Sequence, residues 1–277
     1  MVARKKNLIR KSLFRLSWEI VKNNKILFFP NIAILISNII LLGLLFNFTG
    51  FGISLWKNNL NNLIEVTVSL RFFSVFVIYL ILNMLIDNFF YTFKYGLIKD
   101  ILLKGKTDLR KGFYFAKKYY WTTLGIHILS VLIIFISMAL LALLIFLMLP
   151  LNQLVTVSVF IPLLIVYFVY MSIRLFFIYP IMTFEKKGAY NSLVEDFHFV
   201  KTHFSHTFVS WLVVVGISIL VSIINKNIGY VSEILYGQLF ILGLIGFSLI
   251  IVIEFIVSVW EHVYIFKSYL TAKKRSS

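Results

Sequence analysis

Six long apolar runs, spread over 277 residues, decide what this chain can fold into. They fall near 26–48, 72–91, 122–149, 155–177, 208–224 and 239–260. A helix of about 20 apolar residues, rising ~1.5 Å per residue, matches a hydrocarbon core roughly 30 Å thick. Hydrophobic residues make up 60% of the chain, above the roughly 45–50% of soluble domains, so no single interior can hide them. A membrane β-barrel would instead need alternating segments of about ten residues. The expected fold is all-α, a polytopic six-helix transmembrane bundle.

The first run exceeds the ~7–15 apolar residues of a cleavable signal and follows a long basic stretch, so it is read as a retained span. The chain has no cysteine, which removes disulfides, thiolate metal sites and a cysteine nucleophile.

Charge then predicts orientation. Of 27 Lys and Arg, 23 fall in four segments, 1–25, 92–121, 178–207 and 261–277, while the alternate connections hold only Lys57 and Lys226. The positive-inside rule assigns the four basic segments, and both termini, to the cytoplasm. The expected location is the cytoplasmic (inner) membrane of a prokaryote. A net charge of +16 could also suit a nucleic acid, but no helix-turn-helix, RNP or zinc-finger spacing accompanies it. The expected partner is the bilayer with its anionic headgroups, with another membrane protein or self-association as further options and no nucleic acid.

The segments read as one integral membrane domain over 1–277. An amphipathic helix (1–25) leads into hairpin 1 (26–91); a loop and helix (92–121) lead into hairpin 2 (122–177); a second loop and helix (178–207) lead into hairpin 3 (208–260), before a tail (261–277). Each hairpin is preceded by one apolar spacing: Ile9, Leu13, Leu16, Ile20; Leu109, Phe113, Ala116, Tyr120; and Leu193, Phe197, Val200, Phe204. These offsets trace one stripe of a helix, suited to lying in the interface. They point to a threefold hairpin repeat.

Polar residues within spans are the candidate functional positions. Asp87, Arg174 and Glu261 stand 87 residues apart near the ends of spans two, four and six, each followed by aromatic residues. Leaving such charges unpaired in hydrocarbon costs several kcal/mol, so they are candidates for an intramembrane cluster bridged by Arg174, with separate snorkelling to the headgroups as the alternative. Glu254, midway along the last span, is a candidate proton or cation relay, or else a paired structural carboxyl. His127 reads as a buried, satisfied imidazole. Gly243 and Gly246 would let the last span approach a neighbour closely.

Soluble-type catalytic patterns are absent, and the expectation is that the chain is not an enzyme and carries no cofactor. Glu195, Asp196, His198, His203 and His206 are close in sequence, but His198 and His203 stand five apart and diverge by roughly 140° on a helix, so no metal site is assigned. Gly105, Lys106 and Thr107 imitate the end of a phosphate loop without its first glycine.

Trp18 in the stretch Ser17 to Lys22, then Phe29 and Pro30, and the stretch Tyr179 to Gly188 carry a resemblance. With Asn88 to Lys118, they resemble an uncharacterised family of prokaryotic six-transmembrane proteins, related in plan to the membrane domain attached to some glycerophosphodiester phosphodiesterases. The most specific part is Pro180, Glu185 five positions on, Gly188, and a basic amphipathic helix. The resemblance implies architecture and no reaction, and where it has a serine this chain has Asp196. Two functions are carried forward. One is a non-catalytic scaffold or accessory subunit of a membrane complex; the other is a permease or exporter component using Glu254 and the Asp87, Arg174, Glu261 cluster.

Overall fold

The computed structural model describes residues 2–50, 69–148, 153–238 and 240–275. Lys57 lies outside the described residues. Among those described, the regular structure is helical throughout. Helix α1 spans Val2–Asn23, and a single tight turn at Lys25–Phe28 leads into α2, Phe29–Thr49. Then follow α3 (Leu70–Lys104), α4 (Leu109–Met148), α5 (Gln153–Arg174), α6 (Ile178–Glu185), α7 (Ala189–Thr202), α8 (Phe204–Gln238) and α9 (Phe240–Lys273). Six helical segments are long and apolar enough to cross a membrane: Lys25–Thr49, Leu70–Lys104, Leu109–Leu143, Ile161–Glu185, Phe204–Ile234 and Gly243–Lys273.

Local chemistry sets the ends. Pro30 opens α2, where its missing N–H costs nothing. Ser69 caps α3, its Oγ accepting the Phe72 N–H at 3.1 Å. Gly105 closes α3 with φ 75°, a left-handed stop that favours glycine. Between α5 and α6 the helix breaks at residues 175–177, and Asp196 of α7 accepts the Phe177 N–H at 3.2 Å.

The spans run further than the apolar runs suggest. The segment 92–121, expected as a loop and a separate helix, is the end of α3, a four-residue turn and the start of α4. α3 holds 35 residues and α4 40, so each is well over the ~30 Å core in length at 1.5 Å per residue. Likewise most of the expected tail 261–277 belongs to α9. Helix formers at 92–104 continue the ladder, and the lysines among them do not interrupt it.

The three amphipathic stripes are buried unevenly: on α7 Leu193 and Val200 are buried, while Phe204, which opens α8, is exposed. Leu109 and Phe113 are exposed at 37% and 55%, while Ala116 is buried. α4 instead buries Gly112 and Ala116, then Thr123 and Ile126. Close helix approach explains the offset: a Cβ on Gly112 would sit 2.7 Å from Leu97, and one on Gly96 2.6 Å from Phe115. On α1 the buried line is Leu13, Ser17 and Val21, leaving Leu16 exposed.

The core sits at the end of the bundle where these basic segments gather, called here the basic end. Leu13, Val21 and Leu27 meet Phe93, Leu97 and Ile98 of α3, Met182 of α6 and Val259 to Phe266 of α9. A second cluster packs Phe177 and Ile181 against Phe199, Val200, Tyr269 and Ala272.

Candidate functional site

Glu185 ties the basic end together. Its carboxylate accepts from the Tyr269 hydroxyl, from Lys273 Nζ at 2.7 Å and from Lys187 Nζ at 2.9 Å. Lys187 also reaches Glu195 at 2.9 Å, and its two carboxylate partners hold its ammonium above the ordinary lysine value. Pro180 is buried in the first turn of α6, and Gly188 opens α7, its carbonyl accepting the Ser192 N–H. The Pro180, Glu185, Gly188 motif is thus the joint linking α6, α7 and α9. Trp18 is 43% exposed on α1 and takes no part in it.

Just inside that joint lies Lys94, fully buried on α3. Its Nζ donates to Asn31 Oδ1 at 3.0 Å and to Ser258 Oγ at 3.5 Å, and stands 4.7 Å from the centre of the Tyr91 ring. Asn31 in turn donates to the Phe255 carbonyl of α9. Burying a charge costs several kcal/mol unless hydrogen bonds and opposite charge repay it. Glu261 supplies the opposite charge without forming a direct ion pair. Counting Lys94 among loop cations hid this position. Its spacing from Asp87 and Tyr91, offsets of 0, 4 and 7, puts all three on one helical face and was the available signal.

Three clefts adjoin this centre. The first, about 410 Å³, is lined by Asn83, Asp87, Tyr91, Tyr95, His127 and His262. The second, about 360 Å³, shares Tyr95, Tyr179 and His262 with the first and adds Glu261, Trp211 and Ser218. The third, about 270 Å³, shares Ser218 and Glu261 with the second and reaches Glu254. A row of polar and ionisable side chains set in largely apolar walls, called here the polar seam, therefore runs from Asp87 past His262 and Glu261 to Glu254.

Partners along the seam are incomplete. Asp87 accepts from Asn83 Nδ2 at 3.4 Å through Oδ2, while its Oδ1 and Asn83 Oδ1 are buried with no protein partner. Glu254 accepts from Asn225 Nδ2 at 3.1 Å, and Asn225 Oδ1 is likewise without one. His262 Nδ1 lies 2.6 Å from the Ser258 carbonyl. A carbonyl only accepts, so Nδ1 carries a proton and donates it to this bond.

Arg174 is engaged elsewhere. It donates to the Tyr170 hydroxyl at 3.0 Å and the Phe197 carbonyl at 3.2 Å. Among the described residues no ion pair joins it to Asp87 or Glu261; the cation between the two carboxylates' helices is Lys94 of α3. The helix break at 175–177 brings α7 beside Arg174 and offers it the Phe197 carbonyl instead. His127 is exposed on α4 and lines the first cleft, rather than being buried.

The cluster around α7 disperses. Glu195 pairs with Lys187, His203 stacks on Phe199 at 4.4 Å, and His206 Nε2 meets Ser268 Oγ at 2.9 Å. Asp196 is fully buried beneath the α5 to α6 break, and burial pushes its carboxyl well above the usual carboxylate range. Gly246 packs against Ser232, where a Cβ would fall 1.8 Å from Oγ, bringing α8 and α9 into close contact.

No known protein-family model, curated protein or solved structure matches this chain. The arrangement is a six-helix membrane-spanning protein with a polar seam.

Proposed function

We propose that the chain is a permease or exporter component, with the polar seam as its path and Glu254 as a residue that takes up and releases a proton. The observation that carries this reading is the run of three clefts sharing lining residues, which strings Glu254, Glu261, His262 and Asp87 along their largely apolar walls. Ionisable residues inside a membrane face a pathway or a partner. Here Lys94 occupies the partner's role for Glu261, while Glu254 and Asp87 each accept a hydrogen bond from one asparagine amide and form no ion pair among the described residues. In this reading the membrane is the cytoplasmic membrane of a prokaryote, and the basic end faces the cytoplasm.

The chain reconstituted in vesicles loaded with a pH-sensitive dye tests it. Under an imposed membrane potential, wild type acidifies the lumen faster than empty vesicles, and Glu254→Gln returns the rate to that of empty vesicles. Wild-type flux equal to that of empty vesicles, or unchanged flux in the variant, overturns it. Cysteine substituted at Lys106 tests the orientation, with labelling expected only from inside the cell.

The scaffold or accessory-subunit reading keeps one observation in its favour: the joint at Glu185 locks three helices into a rigid base, as a docking platform requires. Absence of flux together with stable co-purification of a second membrane protein would favour it.

A further inference from the structure

A fourth cleft, separate from the seam, lies where α3 leaves the bundle and α4 enters it. It measures about 390 Å³ and is lined by Gly96, Lys99, Asp100, Lys104, Arg110, Lys111, Tyr114 and Phe115. Four cations face one carboxylate. Part of that charge is already committed: Lys99 Nζ donates to the Thr183 carbonyl at 2.6 Å, and Lys104 lies 3.6 Å from Asp100. Arg110 and Lys111 make no ion pair among the described residues. They sit at the first turn of α4, where the helix dipole adds to their positive field. Arginine beside lysines is the side-chain set that grips phosphate, the guanidinium fork fixing two oxygens and the ammonium groups supplying charge.

The surroundings say more about the source of that phosphate. Leu103, Leu109 and Phe113 stand exposed at 57%, 37% and 55%, close in sequence to the four cations. A free anion has no use for such apolar surface, whereas a phospholipid brings acyl chains to it. The cleft also lies at the basic end of two spanning helices, where headgroups would lie in a bilayer.

We propose that this cleft is a binding site for a phosphodiester headgroup of an anionic phospholipid, held by Arg110, Lys111, Lys104 and Lys99. The site does not depend on the transport reading, since it shares no lining residue with the three clefts of the seam.

The test is native mass spectrometry of the full chain, released from detergent micelles and titrated with phosphatidylglycerol or phosphatidylcholine. Wild type binds phosphatidylglycerol in preference. Arg110→Gln with Lys111→Gln lowers that affinity about thirtyfold, the equivalent of two headgroup-facing cations. Lys22→Gln with Lys25→Gln, the same charge change on exposed α1 and turn positions, lowers it less than about threefold if the site is local. Arg110→Lys with Lys111→Arg keeps the affinity near wild type, which separates a binding role from a folding one.

Equal losses in the two glutamine pairs, or no preference between the lipids, overturn the proposal. Millimolar inorganic phosphate is the second arm. Persistence of bound phosphatidylglycerol assigns the site to a lipid headgroup as proposed, and full displacement by phosphate overturns that assignment in favour of a free phosphate.

Discussion

The two halves of α9 make opposite use of one helix. Toward its C-terminus Val259, Val263 and Phe266 are buried and Trp260 almost so, enclosed by α1, α3 and α6. Toward its N-terminus Ile241, Ile245, Leu249 and Val252 are exposed at 72%, 51%, 50% and 52%. The exposed half is the more apolar of the two, with 13 hydrophobic residues among the 17 of 240–256 against 10 among the 17 of 257–273. They differ in solvent: the first is packed by protein, and the second faces what a bilayer supplies. Packing that holds the fold together is concentrated at the basic end, and the seam begins where that packing stops. A protein organised this way has a densely packed base and an outer half whose apolar side chains face outward.

Substitutions at the two halves should therefore behave unequally, and unfolding in detergent micelles measures the inequality. Glu185→Ala is expected to cost roughly 1–3 kcal/mol, because it removes the acceptor shared by the Tyr269 hydroxyl, Lys273 and Lys187, leaving Lys187 to Glu195 alone. A loss under ~0.5 kcal/mol would remove the joint from the account. Gly96→Val, which drives a Cβ against Phe115, should cost about 1–3 kcal/mol. Gly216→Ala on α8 meets nothing within 4 Å and should be neutral or slightly stabilising, by up to ~1 kcal/mol of helix propensity.

Asp196 sharpens the same contrast through pH. Its carboxyl is raised by burial, so the folded state keeps a proton that the unfolded chain has released. This contribution is complete below the ordinary carboxylate value and is lost as pH rises toward the raised one. Stability should fall with rising pH over that window, and Asp196→Asn should flatten the profile; an unchanged slope would assign the pH dependence to another group. The smallest effect is expected in the outer half, where Ile219→Ala, at 54% exposure, should shift stability by less than ~0.5 kcal/mol.

Much of this is legible in the sequence. Spans are announced by length and composition, and Glu254, Asp87 and Glu261 stand out because acids are rare in such runs. Gly246 was recognisable as a close-approach position because a glycine within a span lets a neighbouring helix come near. Lys94 was not, because a lysine just past an apolar run looks the same whether the helix ends there or continues into a protein interior. Only the partners brought by α2 and α9, Asn31 and Ser258, distinguish the two cases. Arg174 misled in the opposite sense. Its regular spacing from two acids suggested a bridge, yet the break after α5 gives it Tyr170 and Phe197 as partners. Glu185 was visible as part of a motif, but its role depends on Tyr269 and Lys273, 84 and 88 residues away, and no local pattern contains that contact.

If the seam is a transport path, water reaches it and does not reach the outer faces beside it. The chain has no cysteine, so each one introduced reports alone, and a thiol reacts only where it can ionise. Cysteines placed at Ser218 and Ser258 in the seam, and at Ile219 and Val252 on the outer faces, should be exposed to a membrane-impermeant maleimide in reconstituted vesicles. Modification is expected at Ser218 and Ser258, with Ile219 and Val252 unreactive. Four equally unreactive positions, or four equally reactive ones, would contradict it.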